Sequence, residues 1–454
     1  MKFIHIFPVL LFCAFLPSDA QAVDCWISPQ GSGSANGTSA TDAYPAEKAQ
    51  TCWEKTSADG TMHVAPGEYF ESQKTFWTLA ISSKNDGSHP SGKPSYKKLL
   101  GEGKVFLQGS RPVPFQLDSK GLGGRWITIN HGAKNISIDN FSISRVEEGV
   151  VAKEGGNSHI VLSNLHFTDT RQNMIFWGHP KCLKLSDCRV KDREKSHDII
   201  IKNTSGTRYS KRHVRLAQGV HHVRVLQSHA DGGNLDGDFA VGFDVENPSS
   251  DIEFSYCSAR NNIYTQSEYW NGDGFKTEVE TRRIRWDHCS AFDNADAGFD
   301  IKTDSAVLEN IISLRNSRNV RIWSNQTSQL KNINASYSRH HGGNSTEAGI
   351  WTQGKLECHF CTLHNNAIQV QAEDNDSGAS VILYDSILSL DPSKPGELIS
   401  KENNSTIELV RTSLWQKGSA EPDPDYAKKD LEKWAGGKEF NSQRYGKTKG
   451  YYEA

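Results

Sequence analysis

The sequence predicts an all-β protein, a right-handed parallel β-helix with irregular N-terminal coils and a short C-terminal helix and tail. Three observations predict this fold. An alternating apolar strand that ends on a small or apolar anchor recurs along the chain, a short polar residue follows each anchor five places later, and a second alternating strand follows after a loop of variable length. The anchors Cys289, Ile311 and Ile333 lie 22 residues apart. That interval is too short for a βαβ unit and fits one coil of a β-helix, whose coils stack at about 4.8 Å.

The polar residue after each anchor is asparagine in most copies of the phrase. The positions are Asp231, Asn262, Asn294, Asn316, Ser338 and Asn366. Stacked turn asparagines bond their amides from one coil to the next and tolerate left-handed backbone geometry. We therefore predict an asparagine ladder along the stack.

The second strand of each coil alternates regularly, and this alternation assigns its two faces. The residues predicted to point inward are Phe243, Phe275, Phe299, Val320, Ile350 and Ile368. One outward column consists of Asp244, Lys276, Asp300, Arg321, Trp351 and Gln369, and the next outward column of Glu246, Glu278, Lys302, Trp323, Gln353 and Gln371. Outward side chains of adjacent coils lie about 5 Å apart, so the two columns predict a long polar groove.

The ends of the chain differ from the repeats, as the terminal segments of a solenoid must. Residues 1–22 predict a signal peptide, because Lys2 precedes a short apolar run that is followed by a small-x-small cleavage pattern. A membrane anchor is the alternative, but the apolar run is too short to span a bilayer. The β-helix is predicted over residues 23–417, and a C-terminal cap and polar tail over residues 418–454, with a helix at 422–434. We expect a secreted or periplasmic protein.

The composition argues against binding by bulk charge. The 454 residues include 51 Lys and Arg against 54 Asp and Glu, a formal net charge of −3, so we expect neither a nucleic-acid partner nor a membrane partner after cleavage. Nineteen Phe, 13 Tyr and 11 Trp argue against disorder, because so many aromatic side chains must pack. We expect a monomer.

Eight cysteines remain after the predicted cleavage, and an exported chain can oxidise them. Cys257 and Cys289 occupy the inward anchor position of successive coils, where parallel register is poor for a disulfide. We predict free, buried thiols at these two positions. The pairs expected to form disulfides are Cys25–Cys52 and Cys182–Cys188.

The predicted outward columns combine charged and aromatic side chains. Lys276 stands between Asp244 and Asp300, and Arg321 follows on the next coil. The aromatic residues of the groove wall are Tyr269, Trp270, Trp323 and Trp351. Aromatic faces stack on sugar rings and paired cations bind carboxylates, which favours an acidic polysaccharide as the partner. The alternative interpretation is a solvated ladder of opposite charges on neighbouring strands.

One stretch of the chain resembles a known enzyme family. The string Asn271-Gly272-Asp273-Gly274-Phe275-Lys276, the string AFDNADAGFD at 291–300 and the pair Arg318-Asn319 are similar to the pectate lyases of polysaccharide lyase family 9. The similarity runs from about residue 242 to residue 319. It implies a right-handed parallel β-helix that cleaves polygalacturonate by β-elimination, with Lys276 as the base and Asp244 as the last aspartate of a calcium site.

The chain departs from the family pattern on both sides of this string. Ala240-Val241 stands where the family has two adjacent acids, and Thr277-Glu278-Val279 stands where it has Leu-Gly-Gly. Calcium takes six to eight oxygen ligands, so we expect a weak site. The candidate ligands in this registration are Asp244 with Asp231, Asp236 or Asp238. A second registration places the ion on Asp273, Asp296 and Asp300 and makes Arg321 the base.

β-Elimination requires a base for the C5 proton of a uronate and a cation that neutralises the neighbouring carboxylate. Calcium, Arg321 or Lys302 would supply that cation. The side chains expected to bind the sugar units are Trp270, Lys302, Trp323 and Trp351.

Two other functions remain open at this point. A glycoside hydrolase of an acidic polysaccharide would use Asp273 with Asp296 or Asp300 as acid and base. A non-catalytic carbohydrate-binding β-helix would use the same groove without turnover.

Overall fold

A computed structural model describes residues 22–88, 95–115, 121–373, 378–391 and 395–415. The predicted signal peptide up to residue 21 and the predicted cap and tail from residue 418 lie outside the described residues.

The described chain is almost entirely strand and turn. The strands of the first half are β1 (Cys25–Ser28), β2 (Tyr44–Pro45), β3 (Thr61–Val64), β4 (Gly67–Phe70), β5 (Leu79–Ile81), β6 (Lys97–Gly101), β7 (Val105–Gln108), β8 (Arg125–Ile129), β9 (Lys134–Ser144), β10 (Glu148–Ala152), β11 (Ser158–Thr168), β12 (Gln172–Trp177), β13 (His197–Lys202), β14 (Ser205–Thr207), β15 (Arg212–Ala217), β16 (His221–Leu226) and β17 (His229–Asp231). Those of the second half are β18 (Val241–Val245), β19 (Ser250–Ser255), β20 (Ser258–Arg260), β21 (Asp273–Thr277), β22 (Arg282–Asp287), β23 (Ser290–Phe292), β24 (Ala297–Ile301), β25 (Val307–Leu314), β26 (Arg318–Ile322), β27 (Ser328–Ser336), β28 (Ala348–Thr352), β29 (Lys355–His364), β30 (Ile368–Ala372), β31 (Ser380–Tyr384), β32 (Ile387–Ser389), β33 (Glu397–Lys401), β34 (Thr406–Val410) and β35 (Ser413–Trp415).

Among the residues that the structure describes, helix is confined to short pieces. Helix α1 spans Ala49–Lys55, and 3-10 turns occupy Ala40–Asp42, Ala46–Lys48, Glu71–Gln73 and Asp192–Glu194. In the part of the chain that the structure describes, no helix is both long enough and apolar enough to cross a bilayer.

Two sheets of parallel strands make up the described part of the molecule, and the chain alternates between them. The larger, sheet A, has 23 strands, and the smaller, sheet B, has 12. Sheet B runs in the order β5, β8, β10, β12, β15, β18, β21, β24, β26, β28, β30 and β33. Because the chain returns to sheet B one strand further along after each coil, the molecule is a parallel β-helix. The predicted fold class is confirmed.

Corners of left-handed backbone divide the strands of sheet A into pieces of a few residues. Asp251, Tyr256 and Asn261 follow one another at five-residue intervals with φ of 57°, 54° and 55°. The spacing repeats on other coils, for example at Arg283, His288 and Asp293. Asn, Asp and His tolerate positive φ better than most residues, so the many short polar residues of this sequence serve to turn the chain.

The interior is a continuous apolar column. The rings of Phe243, Phe275 and Phe299 stack with centroids 4.9 Å and 4.7 Å apart, and all three side chains are buried. Beside them, Phe254 stacks on Trp286 at 5.8 Å. The predicted inward face of the second strand is therefore correct on these coils, and its outward neighbours are held in a fixed register.

The predicted register is wrong on the last coil of the groove. Ile350 pairs with Val370, and Trp351 pairs with Gln371. Gln369 is buried instead, and its Oε1 accepts a hydrogen bond of 2.8 Å from Asn366 Nδ2. A shift by two residues keeps the same side chains on each face, which is why the alternation alone did not distinguish the two registers.

The N-terminal coils contain a helix that the sequence pattern did not indicate. Helix α1 buries Cys52 and Trp53 against the first coils, and Cys52 is bonded to Cys25. Lys97 lies over the Trp53 ring at 4.6 Å from its centroid. This helix begins the stack where an unpaired coil would otherwise expose its core.

The asparagine ladder is present on three successive coils. Asn262 donates to Asn294 at 2.7 Å, and Asn294 donates to Asn316 at 2.8 Å. The stack continues through Asn319, which no sequence pattern identified, and Asn319 donates to Asn366 at 3.0 Å. The predicted member Asp231 lies outside the ladder and pairs with Arg260.

Left-handed geometry falls one residue before the ladder rather than on it. Asn261 and Asp293 have φ of 55° and 53°, whereas Asn262 and Asn294 are not among the residues with positive φ. The ladder amides are fully buried, so the asparagines are required for hydrogen bonding and their neighbours for the turn.

We expect Asn294→Ala to be strongly destabilising. The change removes the partner of two buried amides, those of Asn262 and Asn316, and an unsatisfied buried polar group costs about 1–3 kcal/mol. Thermal melting followed by circular dichroism should show a fall of several degrees. Asn403→Ala, at an exposed position, is the matched control and should leave the melting temperature unchanged. Equal melting of the two variants would mean that the ladder contributes little.

The cysteine predictions are confirmed where the structure describes them. Cys25–Cys52 and Cys182–Cys188 are disulfides, and Cys257 and Cys289 are free and buried. A further disulfide, Cys358–Cys361, joins two residues of β29 and was not expected.

Candidate active site

The two outward columns lie along the outer face of sheet B, bordered at one edge by three long loops between sheet A and sheet B, and this predicted site is called the groove below. These loops span residues 232–240, 261–272 and 337–347. The first two are joined by a hydrogen bond of 2.8 Å from Thr265 N to Asp236. The last two are joined by Asn344 N and Glu268 O at 3.0 Å. Together they hold the aromatic side chains of the wall beside the charged columns.

Glycines allow the third loop to close on the second. Gly342 has a φ of 136°, and a Cβ atom there would lie 2.5 Å from the Trp270 ring. Gly343 is similarly close to Trp270. The predicted sugar-binding residue Trp270 is therefore half-buried and joins two loops.

Lys276 lies among acids in the middle of the groove. Its Nζ is 2.6 Å from Glu278 Oε1 and 4.0 Å from Asp244 Oδ1, and it lies 5.6 Å from the centroid of the Phe239 ring. Burial lowers the pKa of Lys276, but Asp244 and Glu278 outweigh it and raise the pKa above its ordinary value. Lys276 therefore carries a positive charge near neutral pH in this arrangement, and its assignment as the base stays a prediction.

Asp244 lies next to Lys276 and is fully buried. Its Oδ2 accepts a hydrogen bond from Arg212 Nε, and its Oδ1 faces Lys276. Burial raises the pKa of Asp244, yet Arg212 and Lys276 lower it overall. On the neighbouring column Glu246 is held by Arg215 at 2.7 Å.

Asp273, Asp296 and Asp300 form a second cluster, here called the aspartate cluster, and each is at most 4 % exposed. Burial and the other two carboxylates raise the pKa of Asp273 well above its ordinary value. Asp300 accepts hydrogen bonds from Lys302 at 2.8 Å and from Trp323 Nε1 at 2.7 Å. Although burial opposes it, Lys302 and Arg321 lower the pKa of Asp300. The cluster thus contains one carboxyl with a raised pKa and one with a lowered pKa.

Tyr269 connects the aspartate cluster to two arginines. Its hydroxyl donates to Asp296 Oδ1 at 2.7 Å and accepts from Arg318 at 2.6 Å and from Arg321 at 3.3 Å. Burial and Asp296 raise the pKa of Tyr269, while both guanidinium groups act to lower it. Burial also raises the pKa of Asp296. The Tyr269 hydroxyl therefore stays protonated near neutral pH and shares its proton with Asp296 beside two fixed positive charges.

Arg321 is packed between aromatic rings. Its guanidinium lies 4.3 Å from the Trp323 centroid and 4.9 Å from the Trp351 centroid. Trp351 is 2 % exposed, so its ring supports Arg321 and offers no free face to a sugar. The expectation that Trp351 binds a sugar unit by stacking therefore does not fit the structure. Trp323 is half-buried. Arginine keeps its proton in a protein, so Arg321 carries a positive charge here, and the second registration, in which it is the base, stays a prediction.

The residues predicted to bind calcium are occupied by other partners. Asp238 pairs with Arg171 at 2.6 Å and with Lys211 at 3.1 Å, and Asp244 is bound by Arg212. Among the described residues, no group of three or more His, Cys, Asp or Glu side chains could hold a metal ion. These side chains do not fit a calcium site as they stand, and calcium dependence stays a prediction.

Sequence reasoning identified most of this groove but missed three functional candidates. Tyr269 was assigned to the wall without a chemical role, Arg318 was noted only as part of the resemblance, and Arg212 was not considered. The weak signal for Arg318 is its spacing from Arg321, since both lie on β26. Arg212 carries no local signal, because its role depends on pairing with the next coil.

These features define the class of the protein, a parallel β-helix with a charged groove along one sheet. No protein-family model matches the chain, and no curated protein matches its sequence. Similar solved structures include a GH136 lacto-N-biosidase from Eubacterium ramulus, with a TM-score of 0.51 at 10 % identity over 86 % of this chain and 67 % of that one. XylC in complex with xylose has a TM-score of 0.50 at 10 % identity over 88 % of both chains.

Pectate lyase Pel9A is also similar, with 15 % identity over 88 % of this chain and 81 % of that one, but its TM-score is 0.36. At these identities the comparisons establish the fold alone, the parallel β-helix. The fold that the resemblance to polysaccharide lyase family 9 implies is present, and membership of that family stays a prediction.

Proposed function

We propose that this protein is an exported polysaccharide lyase that cleaves a uronate polymer, pectate-like in charge, by β-elimination in the groove of sheet B. The observation that carries the proposal is the Tyr269 hydroxyl, held between the guanidinium groups of Arg318 and Arg321 and beside Asp296. The predicted signal sequence supports a secreted or periplasmic location, and the charged groove supports an acidic polysaccharide as the substrate.

The arginines supply the charge that β-elimination needs. A uronate carboxylate that binds to Arg318 and Arg321 is neutralised, which makes the C5 proton of the same sugar more acidic. The side chain of Arg318 is 7 % exposed and that of Arg321 is 13 % exposed. Guanidinium groups often bind carboxylates in a bidentate geometry.

Tyr269 carries the proton in this mechanism. As the Tyr269 oxygen removes the C5 proton, its own hydroxyl proton passes to Asp296, whose pKa is raised, so that no free phenolate forms. The bond from C4 to the glycosidic oxygen breaks, and a double bond forms between C4 and C5. Tyr269 then donates a proton to the leaving oxygen and takes back the proton held by Asp296, which restores the starting state. Lys276 and Lys302 remain charged and hold further carboxylates of the chain.

The proposal is tested by offering the purified protein polygalacturonate, alginate and chondroitin and following ultraviolet absorbance and reducing ends together. A lyase raises both signals, because each cleavage creates a conjugated double bond and a reducing end. An increase in reducing ends without absorbance would indicate hydrolysis. Binding without either signal would indicate a carbohydrate-binding protein.

One observation favours a second candidate, a glycoside hydrolase. Asp273 and Asp300 lie on adjacent coils, and their pKa values are shifted in opposite directions. An acid kept neutral beside one kept ionised is the arrangement that glycoside hydrolysis uses.

Asp273→Asn separates the two candidates. If the protein is a lyase, the variant keeps most of its turnover, because Asp273 has no role in the proton path. If the protein is a hydrolase, the turnover of the variant falls by about 10²-fold or more.

The same variant also tests the pKa of Asp273. The raised pKa of Asp273 means that the folded state keeps a proton that the unfolded state releases as the pH rises above about 4. We therefore expect Asp273→Asn to melt higher than the wild type at pH 7, with the difference shrinking toward pH 4.

A further inference from the structure

The Asp244 carboxylate already has a cation bonded to it. Arg212 Nε donates to Asp244 Oδ2, and its NH2 lies 3.6 Å from Glu246 Oε1. Arg212 is 7 % exposed and Asp244 is not exposed at all. With Lys276 4.0 Å from the other oxygen, both oxygens of this carboxylate face positive charge.

The strand pairing explains how the guanidinium reaches this position. Arg212 on β15 is the register partner of Val241 on β18. Val241 and its neighbour Ala240 are buried apolar residues, so neither offers an oxygen beside Asp244. A small apolar pair leaves room for the Arg212 side chain to run across the coil to Asp244.

A divalent cation at Asp244 would meet an unfavourable environment. Calcium requires six to eight oxygens, and the other acid of this strand, Glu246, is bound by Arg215 at 2.7 Å. The ion would also be placed next to Arg212, Arg215 and Lys276. Like charges in a buried site repel strongly, because little water screens them.

We propose that the Arg212 guanidinium takes the place of a metal ion at Asp244, so that the protein requires no divalent cation at this carboxylate. The inference concerns Asp244 and its partners and does not rest on the proposed function.

Calcium binding and melting test this inference without a substrate. We expect isothermal titration of chelator-treated wild-type protein with calcium chloride to give no heat of specific binding, and neither calcium nor chelator to shift the melting temperature. A stoichiometric calcium site in the wild type that disappears in Asp244→Asn would overturn the inference. That result would leave the proposed elimination intact, so the two can fail separately.

Variants of Arg212 provide the second part of the test. Arg212→Ala leaves Asp244 buried without its main partner, and we expect melting to fall by roughly 5 °C or more. Millimolar calcium should restore part of this loss, because the vacated position admits a cation. Arg215→Ala, on the same strand, is the matched control and should melt closer to the wild type with no calcium response.

Two further variants keep the test decisive if Arg212→Ala does not fold. Arg212→Lys keeps the charge and should fold with a smaller loss. In Arg212→Ala combined with Asp244→Asn, the buried charge is removed, so the double variant should recover stability without calcium. A double variant that melts no higher than Arg212→Ala would show that Arg212 acts through contacts other than Asp244, and would contradict the inference.

Discussion

Tyr269→Phe is expected to lower the turnover of the preferred uronate polymer by about 10²–10⁴-fold, the range that general acid–base catalysis contributes. The change removes one oxygen that bonds Asp296, Arg318 and Arg321 and leaves the ring that packs in the wall. The loss should appear in kcat, with a small effect on KM, because the hydroxyl acts on the proton and not on the bulk of the sugar. Initial rates by ultraviolet absorbance measure it.

Tyr256→Phe is the control for this experiment. Tyr256 is exposed, on a corner of sheet A, where its ring stacks on His288, and the loss of its hydroxyl should leave the rate unchanged.

Lys276→Ala tests the competing assignment, in which Lys276 is the base. If Lys276→Ala abolishes turnover while Tyr269→Phe retains it, Lys276 is the base, as the family resemblance implies, and the Tyr269 mechanism is wrong.

Arg321→Gln is expected to lower kcat by about 10²–10³-fold, the loss typical of a removed group that stabilises developing charge. Arg321 lies 3.3 Å from both Tyr269 and Asp296 and is stacked between two tryptophans. Glutamine keeps a polar planar group in that slot but carries no charge. The prediction is checked by steady-state kinetics on the best polymer, with melting curves to show that the variant is folded.

Arg315→Gln is the matched control, since it removes an arginine from an exposed ion pair with Asp293 on sheet A and should change neither kcat nor KM. Arg321→Lys should fall between the wild type and Arg321→Gln, because a lysine keeps the charge but loses the planar stack and the bidentate geometry. Full activity in Arg321→Gln would mean that the substrate carboxylate is neutralised elsewhere, for which Lys302 is the nearest alternative.

The repeat made most of the fold predictable. The ladder asparagines and the inward phenylalanines recur on successive coils, so the strands that carry Asp244, Lys276, Asp300 and Arg321 could be aligned in their observed register. The last coil could not, because a shift of two residues preserves the alternation. In the observed register Gln369 is buried and hydrogen-bonded to Asn366, a contact that the alternation does not show.

The site was less predictable because its chemistry depends on loops and on cross-coil pairs. Tyr269 lies on a loop whose length carries no periodicity, so nothing local indicated that its hydroxyl reaches Arg318. Trp351 alternates outward as predicted, yet Arg318 and Arg321 cover it. The charge state of Lys276 is set by Asp244 and Glu278, and therefore by the register and not by the string that carries the resemblance.

The products of the wild-type protein on its best polymer test the central claim most directly. Mass spectrometry should find oligosaccharides whose non-reducing end is an unsaturated uronate, lighter than the hydrolysis product by one water molecule and absorbing in the ultraviolet. Saturated oligosaccharides that carry the additional water would contradict β-elimination and would make the Asp273 and Asp300 pair, rather than Tyr269 and its arginines, the centre of the chemistry.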